Sequence, residues 1–157
     1  MVHRVIENLG MEFDKEYMFI LICLQEDFDK YDFTEFEKVI GHNSYDVVIL
    51  DDVTEGAAQT VLTAKHLIND DTPLMTMNSD QLVEWDVVDL FEDCKRFDAL
   101  IPCFYGEGNA WSYARCGQDG YVEEVAEKKQ ISEYATAGYY YWSKGSDFVK
   151  YAEQMIE

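Results

Sequence analysis

The chain has 157 residues, enough for one domain with one sizeable core and too few for two ordinary ones. Hydrophobic residues make up 48% of it and aromatic residues 15%, which excludes a disordered polymer. With 12 Lys and Arg against 32 Asp and Glu, the formal net charge is −20, a field that repels nucleic-acid phosphates and anionic lipid and argues against both as partners.

Residues 2–9 place Val2, Val5, Ile6 and Leu9 at helical spacing. No apolar signal-peptide core opens the sequence, and the longest apolar run, residues 17–24, is far shorter than a membrane span. A soluble, cytoplasmic protein is therefore expected. That run, Tyr17-Met18-Phe19-Ile20-Leu21-Ile22-Cys23-Leu24, has the continuous apolarity of a strand covered on both faces in a parallel sheet. Residues 25–40 are acidic but carry Phe28, Tyr31, Phe33 and Phe36, and predict one or two amphipathic helical pieces. A second strand is expected over 45–50, ending at Asp51-Asp52, then a helix over 57–68 and a third strand over 73–78 that stops at Ser79-Asp80. A helix over 85–97 and a fourth strand over 99–105 follow.

Strands alternating with helices of this length imply right-handed βαβ units. The pattern then changes. Residues 111–115 and 121–126 alternate around Gln118-Asp119-Gly120, a hairpin signal. A strand over 136–142 and a helix over 146–156, with Gly145-Ser146 in its cap region, close the chain. The expected fold is α/β, a Rossmann-like mixed and mainly parallel sheet flanked by helices, as one domain over residues 1–157. Cys23, Cys94, Cys103 and Cys116 have neither C-x-x-C nor zinc-type spacing, so small buried thiols in a reducing compartment are expected. His3, His42 and His66 are equally isolated.

In open α/β sheets ligands sit beyond the carboxyl ends of the strands, and three segments fall there. In Thr54-Glu55-Gly56-Ala57-Ala58-Gln59-Thr60, small residues admit a flat ligand, Gln59 offers donor and acceptor to a base edge, and the helix start favours an anion. A plain loop with a Gly near a helix start is the alternative. Asp80, after Asn78-Ser79, is placed to hold Mg²⁺ or to cap the next turn. In Glu124-Val125-Ala126-Glu127-Lys128-Lys129, a Glu can bind sugar hydroxyls and a Lys can meet a phosphate, or the two form an exposed charge pair. Against a charge of −20, a phosphorylated ligand needs a local Lys and a divalent cation.

Taken in order, Glu55-Gly56-Ala57-Ala58-Gln59-Thr60, Met77-Asn78-Ser79-Asp80-Gln81, Trp111-Ser112-Tyr113, Glu124-Val125-Ala126-Glu127-Lys128-Lys129 and Ala135-Thr136-Ala137-Gly138-Tyr139 resemble the sugar-1-phosphate nucleotidylyltransferases, the glucose-1-phosphate thymidylyl- and uridylyltransferase-like enzymes. The tail Lys144-Gly145-Ser146-Asp147-Phe148-Val149 resembles the branch found in surface-polysaccharide gene sets. The resemblance implies attack of a sugar-1-phosphate oxygen on the α-phosphorus of an NTP, with Mg²⁺ as cofactor, giving an NDP-sugar and pyrophosphate. It implies Gly56 and Gln59 at the nucleobase, Asp80 on the metal, Glu127 on the sugar, Lys128 on its phosphate as the second catalytic residue, and Gly138 and Tyr139 beside the sugar.

Four features depart from that family's pattern. The Gly-x-Gly-Thr-Arg loop and Pro-Lys that open its members have no counterpart, nor does a second metal-binding Asp downstream, so the chain is expected to be incomplete at both ends. Ser112 stands where many relatives have Gly, and Lys129 where many have Pro. The partners implied are an NTP and a sugar 1-phosphate, with a second copy or a complementing fragment as protein partner. Two other functions fit the same residues. One is a non-catalytic nucleotide- or protein-binding descendant. The other is a metal-dependent glycosyltransferase, which usually has a second acid two residues before the metal-holding Asp, where this chain has Asn78.

Overall fold

The computed structural model describes residues 2–9 and 16–156, with the side chain of His3 outside the description. The first helix, α1 (Val2–Asn8), uses the apolar spacing seen in the sequence and buries Val5 and Ile6. β1 (Met18–Leu24) leads into α2 (Gln25–Phe28) and α3 (Thr34–Ile40), so the acidic segment forms two short helices. Asp32 Oδ1 accepts from Thr34 N at 2.9 Å and turns the chain between them, and α3 buries only Phe36 and Ile40. β2 (Ser44–Leu50) then pairs parallel to β1, from Met18 opposite Ser44 to Leu24 opposite Leu50.

The helix expected over 57–68 divides into α4 (Ala57–Leu62) and α5 (Lys65–Ile68). Thr63 Oγ1 donates to the Thr60 carbonyl at 2.7 Å at the break, a side-chain bond that competes with helix continuation. β3 (Leu74–Met77) and α6 (Val87–Cys94) follow. Asp86 caps α6, its side chain accepting from Val88 N at 3.0 Å, so the helix starts after Trp85.

Two expected strands each split in two. The segment 99–105 becomes β4 (Ala99–Leu100) and β5 (Cys103–Tyr105). β6 (Tyr113–Cys116) and β7 (Val122–Ala126) form the predicted hairpin, with a register shift between Arg115 and Cys116. The segment 136–142 then divides into β8 (Tyr134–Thr136) and β9 (Tyr139–Trp142). Both breaks lie at one place, where Ala137 N donates to the Pro102 carbonyl at 2.8 Å. Pro102 has no N–H for a ladder, and Gly138 turns the chain at φ +75°. The chain therefore changes sheets twice at the same level. β9 lies between β3 and β4, antiparallel to both, and β8 lies between β5 and β6.

The last helix, α7 (Gly145–Ile156), docks its first turn on the end of α5. Gly145 N donates to the Thr72 carbonyl and Ser146 N to the Asp70 carbonyl, each at 2.9 Å, so main-chain oxygens satisfy the helix start. A Cβ on Gly145 would strike the Ile68 carbonyl.

The apolar side chains gather in three clusters. Val5, Leu9, Ala137 and Tyr139 pack with Met75, Met77, Val83 and Trp85. Ile6, Phe36 and Ile40 pack with Phe19, Leu21 and Tyr45. Ile68, Phe148, Val149 and Ala152 pack with Ile20, Leu74 and Trp142. Helices therefore cover both faces of β1 and of β3, since successive strand residues point to opposite faces. The cysteines depart from expectation: Cys94 is buried and Cys23 half-buried, but Cys103 on β5 and Cys116 on β6 are exposed. Among the described residues, no helix is long and apolar enough to cross a membrane.

Candidate functional site

A cleft of about 580 Å³ opens where the loop before α4, the end of β3, the start of β6, the end of β7 and the β8–β9 junction meet. Gly56 and Gln59 form one wall. Gly56 has extended backbone, φ 176°, which any residue can adopt, and a Cβ there would meet nothing within 4 Å. Its missing side chain keeps open space on the cleft side rather than permitting a turn. Gln59 Oε1 accepts from Glu55 N at 2.7 Å. Because a main-chain N–H only donates, the oxygen is the atom engaged by Glu55, and Gln59 keeps amide N–H groups as donors.

Asn78 and Gln81 line the cleft beside Gly138. Asn78 Nδ2 donates to Gln81 Oε1 at 3.1 Å, and Asn78 N donates to the Gly138 carbonyl at 3.0 Å. A Cβ on Gly138 would lie 2.7 Å from Asn78 Nδ2 and overlap the Gln81 amide. The glycine thus makes room for two amide side chains as well as for a turn at positive φ. The segment after Asp80 is tied down from behind. Asn8 exchanges a pair of bonds with the Val83 backbone, both at 2.9 Å, and Trp85 Nε1 donates to the Asn8 carbonyl at 3.3 Å.

The third side carries the acid. Ser112 Oγ donates to Glu127 Oε2 in a short bond, and Lys128 Nζ lies 3.6 Å from the other oxygen, Oε1. Both oxygens of Glu127 are thereby engaged at the cleft edge. Lys128 is the only non-glycine residue with positive φ among the described residues, at 51°. That conformation costs an ordinary side chain about 1–2 kcal/mol, so tertiary structure holds this turn against local preference. The Glu127–Lys128 pair is exposed at 69% and 71%, which leaves Lys128 free to exchange its partner for an arriving anion at little cost.

Of the sequence-predicted site residues, Gly56, Gln59, Glu127 and Gly138 line this one cleft. Asp80 is exposed in the turn after β3, one residue from the lining Gln81, and Lys128 stands on the rim beside Glu127. Tyr139 does not reach the cleft. Its side chain is 0% exposed, stacked edge-on to Trp85 with ring centres 4.6 Å apart, and its hydroxyl donates to the Gln81 carbonyl at 3.1 Å. Burial pushes that hydroxyl above the usual tyrosine range. Its geometry supports the Gln81 segment from the core side. Tyr140 lines the cleft instead, its hydroxyl 3.1 Å from Thr136 Oγ1. Gln81, Trp111, Thr136 and Tyr140 are lining residues that the sequence reading did not single out.

The donors at the end of β3 are the Asp80 carboxylate and the polar side chains of Asn78 and Ser79, and no group of three or more His, Cys, Asp or Glu among the described residues could close around a metal ion. That set fits Mg²⁺, which keeps waters and takes one or two carboxylates plus substrate phosphate oxygens, and does not fit a closed protein cage. Among the described residues, the cleft lining includes Glu55 and Glu127 and no Lys or Arg. An anionic ligand therefore depends on the rim lysine and on a cation.

The family pattern of nucleotidyl transferases matches residues 7–156. No curated protein is similar enough in sequence to match. Among solved structures, a nucleoside-diphosphate-sugar pyrophosphorylase from Vibrio cholerae is similar at TM-score 0.74 and 20% identity, covering 99% of this chain and 65% of that one. UDP-glucose pyrophosphorylase in complex with UDP-glucose is similar at TM-score 0.70 and 13% identity, covering 97% of this chain and 65% of that one. A protein assigned as a glucose-1-phosphate thymidylyltransferase, from Bacillus anthracis and in complex with sucrose, is similar at TM-score 0.65 and 15% identity, covering 82% and 53%. At these identities the likeness shows the fold. The chain spans 65% of the length of the first two of these structures and 53% of the third.

Proposed function

Because the chain belongs to the nucleotidyl transferase family, we propose that its cleft holds a nucleoside triphosphate beside a sugar 1-phosphate and serves nucleotidyl transfer between them. A phosphate oxygen of the sugar 1-phosphate attacks the α-phosphorus. The bond from that phosphorus to the oxygen bridging the β-phosphate breaks, pyrophosphate leaves and an NDP-sugar forms. The observation that carries this reading is the convergence on one cleft of Gly56 and Gln59 from one half of the chain with Glu127 and Gly138 from the other.

In this reading the base lies against open Gly56 and takes the free Gln59 amide on a ring carbonyl. Glu127, steadied by Ser112, accepts from sugar hydroxyls in charge-assisted bonds. Lys128 neutralises the sugar phosphate. Asp80 would hold Mg²⁺, which when bound supplies charge neutralisation on the NTP phosphate oxygens. Such transfers depend mainly on positioning and neutralisation, and the acidic lining makes both demands steep.

Equilibrium titration tests the site, with Trp111 on the cleft wall as fluorescence reporter. An NTP with Mg²⁺ and a sugar 1-phosphate should each bind. Asp80→Ala should weaken the NTP·Mg²⁺ complex about tenfold or more and spare the sugar 1-phosphate, and Lys128→Ala should do the reverse. If neither substitution alters either affinity, the residue assignment is wrong. Pyrophosphate release on mixing both substrates distinguishes transfer from nucleotide binding without chemistry.

A further inference from the structure

Neither Asn78 nor Gln81 holds base, metal or phosphate in the proposed transfer, yet both line the cleft. Each is fixed through its own backbone. Asn78 N donates to the Gly138 carbonyl at 3.0 Å, and the Gln81 carbonyl accepts from the hydroxyl of fully buried Tyr139 at 3.1 Å. The two side chains are joined to each other, Asn78 Nδ2 donating to Gln81 Oε1 at 3.1 Å. Gly138 supplies their room, since a Cβ there would lie 2.7 Å from Asn78 Nδ2 and overlap the Gln81 amide.

The mutual bond uses an N–H of Asn78 and the oxygen of Gln81. Asn78 therefore keeps its oxygen as an acceptor, and Gln81 keeps its N–H groups as donors. Turning both amides over reverses the bond and leaves the same inventory, one oxygen and one NH₂ group. An uncharged donor beside an uncharged acceptor matches two neighbouring hydroxyls, one donating to the oxygen while the other accepts from the N–H. An ionised phosphate offers acceptors only and a metal ion takes acceptors only, so neither uses both groups.

Asp80 lies two residues after Asn78 and one before Gln81. With the NTP phosphates neutralised at Asp80 and the base on the 54–59 wall, the ribose that joins them passes the end of β3. The hydroxyls of the sugar 1-phosphate have an acceptor of their own in Glu127, which Ser112 steadies. Neutral amides also suit a place next to phosphates. The lining already holds Glu55 and Glu127 in a chain of net charge −20, and a carboxylate in place of either amide would add to the repulsion.

Resting on that reading of the cleft, we propose that the Asn78–Gln81 pair reads the 2′,3′-diol of the nucleotide, so that the nucleotide substrate is a ribonucleoside triphosphate and not its 2′-deoxy counterpart. A 2′-deoxyribose brings the 3′-hydroxyl alone and leaves one group of the pair unmatched. Because both backbones are fixed beforehand, the pair pays little to bind a diol.

Titration of the intact protein with matched pairs, UTP against dUTP and GTP against dGTP, each with Mg²⁺, tests the assignment without presuming the base. For whichever base binds, the ribonucleotide should bind about tenfold or more tightly than its 2′-deoxy form. Asn78→Leu should bring that ratio within about twofold and leave sugar 1-phosphate affinity as it was. Gln81→Met, which keeps the side-chain length and removes the amide, should do the same. A ratio near one in the parent protein overturns the proposal while the nucleotide site stands. A ratio that survives both substitutions also overturns it, because other groups would then read the diol. So does a loss of sugar 1-phosphate affinity with the ratio kept, which would put the pair on the other substrate. Failure to bind any of the four nucleotides overturns the proposed function itself, and this assignment with it.

Discussion

β1 and β9 are alike in apolar content and unlike in surroundings. β9, Tyr-Tyr-Tyr-Trp, is hydrogen-bonded on both edges, to β3 and β4, and its Tyr139 is 0% exposed. Among the described residues β1 is paired with β2 alone, and none of its seven residues is buried. The seven-residue apolar run had every property of a central strand except a second neighbour. Apolar sequence makes burial favourable, but how fully a strand is enclosed by its neighbours decides how far it goes. The cleft follows the same division. Thr136 stands in a strand of the paired half and Asn78, Ser112, Glu127 and Gly138 each within two residues of one, while the 54–59 loop reaches in from the β2 side.

The largest effect expected from this contrast is at Tyr139. Tyr139→Ala removes a fully buried ring and its bond to the Gln81 carbonyl, and should cost about 3–5 kcal/mol by denaturant unfolding. Leu21→Ala in half-exposed β1 should cost only about 1–2 kcal/mol, although leucine and tyrosine both anchor cores elsewhere. Equal losses would erase the distinction between the two regions. Next comes Gly138→Ala, which forces a side chain into φ +75° and into Asn78 and Gln81, at about 2–3 kcal/mol. Adding Gln81→Ala should recover the Gln81 part of the steric cost, leaving the Asn78 contact and about 1 kcal/mol of backbone cost. No recovery would mean that backbone conformation alone sets the glycine.

The order of elements was legible because each rests on local pattern: the period of apolar residues, Gly145-Ser146 at a helix start, Asp119-Gly120 in a hairpin. Sheet membership was not. Residues 99–105 and 136–142 each look like one strand, and only the contact between Ala137 and Pro102 shows why both change sheets. The motifs singled out Gly56, Gln59, Glu127 and Gly138, and these four line one cleft. Tyr139 and Tyr140 show what pattern leaves open. In a run of three tyrosines, alternation says that neighbours face opposite ways but not which one faces the core, and it was the resemblance that put Tyr139 beside the sugar. Gln81 carried no signal of its own, because its place depends on the empty space at Gly138. The exposure of Cys103 and Cys116 depends on which sheet faces stay uncovered, a property of the whole fold.

A smaller effect separates the thiols. Burial, with Asp93 nearby, pushes the Cys94 thiol from 9.0 up to about 11, whereas Cys116 is exposed. Between those two values the unfolded chain releases a proton that folded Cys94 keeps, so this group makes stability fall as pH rises through that window. At pH 8 a thiol-alkylating reagent should modify Cys116 at least about tenfold faster than Cys94, read by peptide mapping. Equal rates would mean that α6 opens readily and that the paired half is looser than its ladders suggest.

The smallest expected change in stability is at Gly56, and its value lies in that smallness. Gly56 and Gly138 both line the cleft, but only Gly138 is needed by the fold. A Cβ on Gly56 meets nothing within 4 Å and its backbone is extended, so Gly56→Ala should shift unfolding by no more than about 0.5 kcal/mol in either direction. The added methyl projects into the space where the base is proposed to lie, so NTP affinity should fall about tenfold while sugar 1-phosphate affinity is kept. A variant as stable as the parent that also binds NTP unchanged would move the base away from Gly56. A variant that loses stability would show that the 54–59 loop is packed as tightly as the β8–β9 junction, and the contrast between the two glycines would fail.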